Sequence, residues 1–358
     1  MTMHNILAIN PGSTSTKLAV FTNEDLVFEK TLRYSIEDID QSEMTIEKDL
    51  LFRKKAILQA LDEANYLLEN FDAIVGRGGL LKPISGGVYT VNTAMIDDLK
   101  KDPTNYHASN LGALLSYDIA SGLKIPAYIV DPVVVDEMDP VAKLSGHPDY
   151  ERISIFHALN QKAVALRASK ELGKTYNQSN FIVAHLGGGI SVGAHKRGRV
   201  IDVNNALDGE GPYTPERSGT LPVGQLVSNA FSGKISLEEM KKCIRGKGGL
   251  VAYLNTNDAK QVSAMCDNDD KKALLIYEGM AYQVAKEIAA NAAVLKGKVD
   301  AIIITGGIAY DHRFVTWIKE RVEFIANVIV YPGEDELHAL TQGALRVLRG
   351  EEKPKIYC

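Results

Sequence analysis

The residues of this sequence best suited to chemistry lie in a polar turn near its start. Residues 10–17, Asn-Pro-Gly-Ser-Thr-Ser-Thr-Lys, separate two apolar runs at 6–9 and 18–21, which predicts strand, turn and strand. Glycine, several hydroxyl groups and one lysine offer converging donors with a positive charge, and such a set suits a phosphoryl group. The Walker A pattern is absent. An ordinary β-hairpin with a polar turn is the alternative, because glycine and serine are common turn residues.

Two arginines stand where a carboxylate or phosphate could be gripped. Arg77 follows a predicted strand at residues 72–75 and is flanked by glycines. Arg217 lies in a glycine- and proline-rich loop at residues 208–222 that is too irregular for an ordinary surface loop. The planar guanidinium group forms paired hydrogen bonds with either anion. Solvent-exposed surface arginines are the alternative.

The elements that must position these residues occur twice along the chain. Each half has three predicted strands, a helix, and then a strand that begins Asp-Ala-Ile, at Asp72 and at Asp300, and ends in two glycines. This order predicts two copies of one α/β unit, although chance similarity of short segments remains an alternative. Two such domains facing each other would place their turns across one cleft, where small ligands bind preferentially.

We expect domains at residues 1–152 and 153–337, with a C-terminal helix in 338–358 that packs back on the first domain. The hinge between them is expected near residues 145–154. A length of 358 residues with 45% hydrophobic residues is sufficient for two globular domains.

Charge and composition restrict the partners. A net charge of −5 gives no general attraction to nucleic acid or to an anionic membrane. Three widely spaced cysteines do not form a metal-ligand set and are expected to be reduced thiols. No leader precedes residue 6, and no apolar run approaches the ~20 residues of a membrane span. We therefore expect a cytoplasmic protein without nucleic-acid or membrane partners.

Five motifs in one order resemble the acetate and butyrate kinases, a family within the actin, hexokinase and Hsp70 superfamily. Residues 10–17 resemble the first phosphate motif of the family, 185–191 the second, and 304–308 its adenosine motif. Phe156-His157 and residues 217–222 agree as well. The sequence looks closer to butyrate kinase, because the acetate kinases are longer and have asparagine at the position of Gly188.

The resemblance implies an α/β fold with two duplicated ribonuclease-H-like (actin-like ATPase) domains and an interdomain cleft. It implies reversible, in-line phosphoryl transfer from ATP to butyrate, giving butyryl phosphate and ADP, with Mg²⁺ and a homo-oligomer of two or more chains. A carboxylate is already ionised at neutral pH, so such a transfer requires no general base. The alternatives are acetate, propionate or a branched-chain acid as acceptor, or a nucleotide-switched interaction protein.

The site residues are carried over from the motifs. The catalytic set implied by the resemblance is Arg77, Asp131, His157 and Arg217. The implied nucleotide-binding set is Asn10, Ser13, Thr14, Ser15, Lys17, His185, Gly187, Gly188, Gly189, Gly306, Gly307 and Ile308. The implied metal ligands are Asn10, Asp131 and Glu336. A packed core residue is the alternative for His157, and a strand-end histidine bonded to a neighbouring loop is the alternative for His185. For Glu336 the alternative is a favourable helix dipole alone.

Gly78 and Gly79 support one further hypothesis. The acetate kinases have bulkier residues after the arginine that matches Arg77. We therefore expect the missing side chains at these two glycines to leave room for an acyl group longer than acetate.

Overall fold

Two mixed β-sheets organise the residues that a computed structural model describes, namely 2–34, 45–101 and 108–358. The chain divides into a first unit, Met1–Val135 with Asp335–Cys358, and a second unit, Asp136–Glu334. This division falls after Val135, whereas the sequence predicted a boundary after residue 152. The C-terminal helix belongs to the first unit, where it packs against strands of that unit's sheet.

The first unit contains a seven-stranded sheet of order β12-β5-β6-β4-β1-β2-β3. Its strands and helices in chain order are β1 Asn5–Pro11, β2 Ser15–Thr22, β3 Asp25–Arg33, α1 Ile46–Glu63, β4 Ala73–Arg77, β5 Val88–Thr90, α2 Thr93–Lys100, α3 Asn110–Leu123, β6 Ala127–Val130, α12 Glu336–Leu348 and β12 Lys355–Ile356. β1 pairs antiparallel with β2 and parallel with β4, and β4 pairs parallel with β6. β1 and β4 are almost continuously buried, as expected for central strands covered on both faces.

The second unit contains a five-stranded sheet of order β11-β10-β7-β8-β9. Its elements in chain order are α4 Pro140–Lys143, α5 Ala158–Glu171, β7 Asn180–Leu186, β8 Ile190–Lys196, β9 Arg199–Val203, α6 Val223–Ala230, α7 Leu237–Ile244, α8 Gly249–Leu254, α9 Ala259–Asp267, α10 Lys271–Val294, β10 Ala301–Gly306, α11 His312–Val322 and β11 Val328–Pro332. β7 pairs antiparallel with β8 and parallel with β10, and β10 pairs parallel with β11. Short 3₁₀ turns cover Leu68–Asn70, Tyr176–Gln178 and Gly307–Tyr310.

The two sheets are copies of one design. β3-β2-β1-β4-β6 and β9-β8-β7-β10-β11 have the same order and the same strand directions. In each copy the second strand contains a register shift. The shift lies next to a residue whose partner on the first strand directly follows the asparagine that begins that strand. The predicted duplication is therefore confirmed, and the fold is that of two ribonuclease-H-like domains.

The same pair of hydrogen bonds between an asparagine and an aspartate, here called the polar bracket, joins the first and fourth strands of each copy. The backbone amide of Asn5 donates to Asp72 Oδ2 at 2.7 Å, and the backbone amide of Asn180 donates to Asp300 Oδ2 at 2.7 Å. In return the Asp72 amide donates to the Asn5 carbonyl, and the Asp300 amide donates to the Asn180 carbonyl. These pairs explain why the Asp-Ala-Ile sequence occurs twice, since the aspartate fixes where the parallel strand begins.

Each unit has its own hydrophobic core around its central strands. In the first unit β1 and β4 pack against α3, which α1 contacts in turn, and residues such as Leu7, Ile74 and Leu115 are fully buried. In the second unit the long helix α10 covers β7 and β8. Asp270 begins α10 by accepting hydrogen bonds from the amides of residues 272 and 273, as a good N-cap residue does.

None of the described helices has both the length and the apolar character of a membrane span.

The hypothesis that Gly78 and Gly79 leave room for an acyl group is wrong. A Cβ atom on Gly78 would lie 2.4 Å from Cβ of Pro132, and one on Gly79 would lie 2.6 Å from Cα of Asn110. Asn110 also accepts a hydrogen bond from the Leu80 amide at 2.8 Å. The space that the missing side chains would fill is therefore already occupied by the chain itself, and these glycines permit close packing of the loop after β4.

We expect Gly79→Ala to destabilise the protein by about 1–3 kcal/mol, because the added methyl group overpacks the contact with Asn110. The control is Gly122→Ala in α3, the helix that Asn110 begins. A Cβ there meets nothing within 4 Å, so the control is expected to stabilise by up to about 1 kcal/mol. Thermal and urea unfolding measure both variants. A Gly79→Ala variant as stable as the unsubstituted protein would contradict the packing described.

Candidate active site

Three of the residues singled out in the sequence lie at the carboxyl ends of neighbouring parallel strands in the first unit. Ile9 pairs with Gly76, so Asn10 lies opposite Arg77 at the ends of β1 and β4. Arg77 in turn pairs with Val130, and Asp131 directly follows Val130 at the end of β6. In open α/β sheets, ligands bind outside the carboxyl ends of the strands. This edge is therefore the candidate site of the first unit.

Glu336 joins this edge from the start of α12. Its Oε2 accepts hydrogen bonds from Asn10 Nδ2 and from Arg77 Nη1, the latter at 3.2 Å. Arg77 Nη1 also lies 3.4 Å from Asn10 Oδ1. The three side chains thus form a closed triangle, in which the arginine is held in place through Nη1.

Asp131 is held in a strained conformation. It is buried and has a φ of 37°, in the left-handed region that residues other than glycine rarely adopt. Its Oδ1 accepts a hydrogen bond from the Gly87 amide at 2.7 Å, and its own amide donates to the Gly87 carbonyl. Strain of this kind is concentrated at functional sites, where the surrounding structure imposes it.

A buried arginine that the motifs in the sequence did not indicate binds the inner side of the polar turn after β1. Nη1 of Arg53, on α1, donates to the carbonyl oxygens of Gly12 at 2.8 Å and Ser15 at 3.0 Å, and Nη2 donates to that of Ser13 at 3.2 Å. The carbonyl of Thr14 accepts from the Tyr34 amide. All four carbonyl groups of residues 12–15 are therefore engaged on the inner side of the turn.

Arg53 itself is neutralised by Asp49, one helical turn earlier. Nε of Arg53 donates to Asp49 Oδ1 at 2.7 Å, and both side chains are only 1% exposed. In sequence this pair has the spacing of an ordinary exposed ion pair on a helix, so no local signal indicates that it is buried. On the outer side of the turn Ser13, Thr14 and Lys17 are exposed and Ser15 is half-buried.

A second cluster surrounds the glycine turn at residues 187–189 of the second unit. His185 is fully buried at the end of β7, and its Nδ1 lies 2.8 Å from Asn160 Oδ1. Its Nε2 forms no hydrogen bond among the described residues, but it lies 3.0 Å from the carboxylate oxygen Oε1 of Glu334. The buried ring, this carboxylate and the glycine turn therefore lie together.

Arg217 lies over the same turn. Its Nη1 donates to the carbonyl of Ala206, and a Cβ atom on Gly189 would lie 2.0 Å from that nitrogen. Thr214 links the loop of Arg217 to the turn, because its hydroxyl donates to the Gly188 carbonyl at 2.7 Å. The Nε atom of Arg217 is buried and has no hydrogen-bond partner in the described part of the chain. Burial lowers the pKa of the Arg217 guanidinium, with Glu216 opposing the change, so an incoming anion would stabilise its charge.

His157 stands beside His185. The two imidazole rings are stacked, with 3.7 Å between centroids and 10° between planes. His157 Nδ1 lies 2.9 Å from the hydroxyl of Ser191, at the start of β8. Both predicted histidines are therefore gathered at one end of the second sheet.

A cavity of about 870 Å³ lies within the second unit. Four of the predicted nucleotide-binding residues line it: Gly187, Gly188, Gly307 and Ile308. Gly188 and Gly307 face open space, because a Cβ atom on either meets nothing within 4 Å. Gly306 serves packing instead, since it has a φ of 92° and a Cβ there would lie 2.4 Å from the Leu186 carbonyl. The predicted residues Asn10, Ser13, Thr14, Ser15 and Lys17 belong to the first unit.

The polar part of this cavity contains residues that the motifs in the sequence did not indicate. Asp311 begins α11 by accepting from the amide of Arg313 at 2.9 Å, and Tyr277 donates its hydroxyl to Asp311 at 3.0 Å. Burial, followed by the charge of Asp311, raises the pKa of Tyr277, so the hydroxyl remains a donor. An aspartate N-cap four residues after the second of the two glycines was the available signal. Lys260 and Asp258, which also line the cavity, gave none, because they read as an ordinary surface helix start.

The described residues contain no group of three or more histidine, cysteine, aspartate or glutamate side chains that could hold a metal ion. Asn10 and Glu336 are in contact, and the described hydrogen bonds of Glu336 use Oε2 alone. One carboxylate oxygen with an amide neighbour fits Mg²⁺, which takes few protein ligands and completes its shell with phosphate and water.

Comparison with known proteins adds two findings. The model of the Acetokinase family matches residues 152–326, slightly less than half of the chain. Solved structures match over nearly the whole length. Acetate kinase from Porphyromonas gingivalis has a TM-score of 0.79 at 20% identity and covers 96% of this chain and 100% of its own.

Propionate kinase from Francisella tularensis has a TM-score of 0.73 at 20% identity, with 95% of this chain and 99% of its own covered. Acetate kinase from Entamoeba histolytica has a TM-score of 0.73 at 17% identity, with 95% and 98% covered. Residues 152–326 thus match the Acetokinase family, and the chain as a whole has the fold of solved acetate and propionate kinases.

Proposed function

We propose that this protein transfers the γ-phosphoryl group of ATP to a short-chain carboxylate, reversibly, giving an acyl phosphate and ADP. The reaction requires two anions to be positioned and their charge to be neutralised, and it requires no covalent step by the protein. The family match at residues 152–326 and the fold of the solved carboxylate kinases support this class of reaction.

The observation that carries the proposal is the way in which two arginines are held. Arg77 and Arg217 are each tethered through Nη1, to Asn10 and Glu336 in one case and to the Ala206 carbonyl in the other. In the described part of the chain, no hydrogen bond engages the Nε–Nη2 edge of either side chain. That edge grips a carboxylate or phosphate with two parallel hydrogen bonds. We assign one arginine to orient the acyl carboxylate and both to stabilise the transferring charge.

The cavity of the second unit is the proposed nucleotide site. Gly188 and Gly307 leave its wall open, and a volume of about 870 Å³ lies within the range of small-molecule sites. Nε2 of His185 lies beside Gly187 at the cavity edge, 3.1 Å from the position of a Cβ on that glycine. We assign His185 to contact phosphate and His157 to donate to the transferring phosphoryl group.

The metal site is proposed at the end of β1. Asn10, Asp131 and Glu336 would hold Mg²⁺, and Lys17 with the hydroxyl groups of the polar turn would bind the phosphates. Mg²⁺ supplies neutralisation of phosphate charge when bound.

The acceptor within the class is a finer proposal. The resemblance of the sequence favours butyrate, whereas the solved structures of the same fold are acetate and propionate kinases. The packing of Gly78 and Gly79 removes one argument for a longer acyl group. We retain butyrate as the expected acceptor, with acetate, propionate and branched-chain acids as the alternatives, and we propose a homo-oligomer located in the cytoplasm.

The activity is tested by incubating the protein with Mg-ATP and a series of acids: acetate, propionate, butyrate and isobutyrate. Hydroxylamine traps the acyl phosphate as a hydroxamate, and ADP release is measured in parallel. We expect ADP and hydroxamate in equal amounts, both dependent on the acid, with the highest kcat/KM for butyrate. ADP release that is independent of every acid would indicate hydrolysis or a nucleotide-switched protein instead.

Arg77→Ala and Arg217→Ala are each expected to lower kcat about 10²-fold or more, because each removes a partner of the transition-state charge. Arg167→Ala is the matched control. Arg167 is 63% exposed and pairs with Glu171 on the surface of α5, so its loss should leave kcat unchanged. Wild-type turnover in both site variants would refute the assignment, provided that circular dichroism shows them to be folded.

Arg53→Lys tests the support of the polar turn. Lysine retains the charge opposite Asp49 but cannot reach several carbonyl groups at once. We expect a loss of about 1–3 kcal/mol in the free energy of unfolding and a decrease in kcat/KM for ATP between roughly 10-fold and 10²-fold. Lys54→Met, which removes a surface pair with Asp118, should change neither quantity appreciably. Unchanged nucleotide kinetics in Arg53→Lys would show that the turn does not bind phosphate.

A further inference from the structure

A chain of hydrogen bonds runs from His157 into the interior of the second unit. His157 Nδ1 contacts Ser191 Oγ at 2.9 Å, and Ser191 Oγ contacts Gln161 Nε2 at 2.8 Å. Gln161 Oε1 contacts His195 Nε2 at 2.9 Å, and His195 Nδ1 contacts the Tyr176 hydroxyl at 2.7 Å. Ser191, Gln161 and His195 have no exposed surface, and Tyr176 is buried as well. Ser191 ends the motif at residues 185–191, and the other three residues were not singled out in the sequence.

The orientation of the Gln161 amide fixes the direction of every proton in this chain. The amide also lies 3.0 Å from the backbone carbonyl of Ser191, which can only accept a hydrogen bond. The atom facing that carbonyl must therefore be Nε2, and Oε1 faces His195. A reversed amide would place Oε1 against the Ser191 carbonyl and so bring two acceptors together.

The inner end of the chain agrees with this direction. Because Gln161 Oε1 accepts, His195 must have a proton on Nε2. Complete burial, followed by the nearby charge of Lys162, lowers the pKa of His195 to about 3, so the ring is neutral and has one proton. Its Nδ1 is then a bare acceptor, and the Tyr176 hydroxyl donates to it.

The outer end reaches His157. Ser191 Oγ accepts a hydrogen bond from Gln161 Nε2 and faces the His157 backbone amide at 3.4 Å, so both of its acceptor positions are used. The hydroxyl proton of Ser191 must then be donated, and His157 Nδ1 is the acceptor that its described contacts provide. His157 Nδ1 thus carries no proton, and the proton of the ring is on Nε2.

We propose that Ser191 and Gln161 are positioning residues that hold His157 as the Nε2–H tautomer, so that the ring presents a fixed N–H donor to the transferring phosphoryl group. The functional part rests on the carboxylate kinase activity proposed above. The alternative tautomer would direct a lone pair at an anionic oxygen, and this would repel the charge that the site must stabilise. The position of the proton on the His157 ring depends on the whole series of hydrogen bonds. Each member of the series determines which atom of the next member carries its proton.

The tautomer is measured directly by ¹⁵N NMR of the full-length protein labelled with ring-¹⁵N histidine. The His157→Gln variant identifies the signals of His157 by their disappearance. We expect Nε2 of His157 to be protonated and Nδ1 to have the shift of a hydrogen-bonded acceptor. A proton on Nδ1 in the unsubstituted protein would overturn the proposal, and this reading needs neither activity nor a further variant.

Ser191→Ala removes the hydroxyl that donates to His157. We expect the ring nitrogens of His157 to move toward values averaged over both tautomers, with kcat lowered roughly 10-fold to 10²-fold, the range typical of residues that orient a ligating histidine. KM for ATP should change little, because the binding groups remain. Tautomer signals or a kcat equal to those of the unsubstituted protein would overturn the positioning role.

Ser169→Ala is the matched control. Ser169 is equally buried on α5, the helix of Gln161, but its hydroxyl donates to the Leu166 carbonyl, outside the chain. It should alter neither the His157 signals nor kcat. If no acid is phosphorylated, the proposed function fails while the NMR result still decides the tautomer. If acids are phosphorylated and the proton is on Nδ1, the present inference fails alone.

Discussion

The candidate site of the first unit depends on one buried guanidinium. A turn of glycine and hydroxyl residues has no intrinsic reason to direct its donors outward, because its carbonyl groups are equally polar. Arg53 removes this freedom by engaging three of the four carbonyl oxygens from the inner side, while Asp49 neutralises its charge at 2.7 Å. A buried arginine with one carboxylate and several carbonyl partners has its charge balanced and its hydrogen bonds formed. Burying the arginine or the carboxylate without the other would cost free energy. The exposed side of the turn then carries the hydroxyl groups of Ser13 and Thr14.

The second copy of the fold meets the same need by other means. Counted from the asparagine that begins each sheet, His185 stands at the position of Asn10. Counted from the paired aspartates, Thr305 stands at the position of Arg77. The second turn is formed by three glycines, and its cation, Arg217, comes from a distant loop that Thr214 attaches to the Gly188 carbonyl. Duplication therefore preserved the strands and their bracket, and the chemistry diverged at the strand ends.

The sequence predicted what depends on local pattern, and it failed where distant segments decide. The repeated Asp-Ala-Ile strands, the helix that precedes each of them and the placement of Arg77 at a strand end are all legible in a short window. The buried Arg53–Asp49 pair is not, because i,i+4 charges read as a surface pair unless the chain that covers them is known. Gly78 and Gly79 were misread for the same reason. For Gly79, whether an added Cβ would face solvent or Asn110 depends on a helix that begins about thirty residues later in the chain.

The two arginines illustrate why a site of this kind tolerates the cost of burying a cation. Burial lowers the pKa of Arg217, which means that its charged form is stabilised less by its surroundings than it would be by water. A tether through Nη1 removes rotational freedom before any ligand arrives, so less entropy is lost on binding. At Arg217 the remaining Nε–Nη2 edge is poorly solvated, because Nε is buried and has no hydrogen-bond partner among the described residues. An anion that reached this edge would supply hydrogen bonds that water does not, so the poor solvation of the guanidinium would favour the binding of a carboxylate or phosphate.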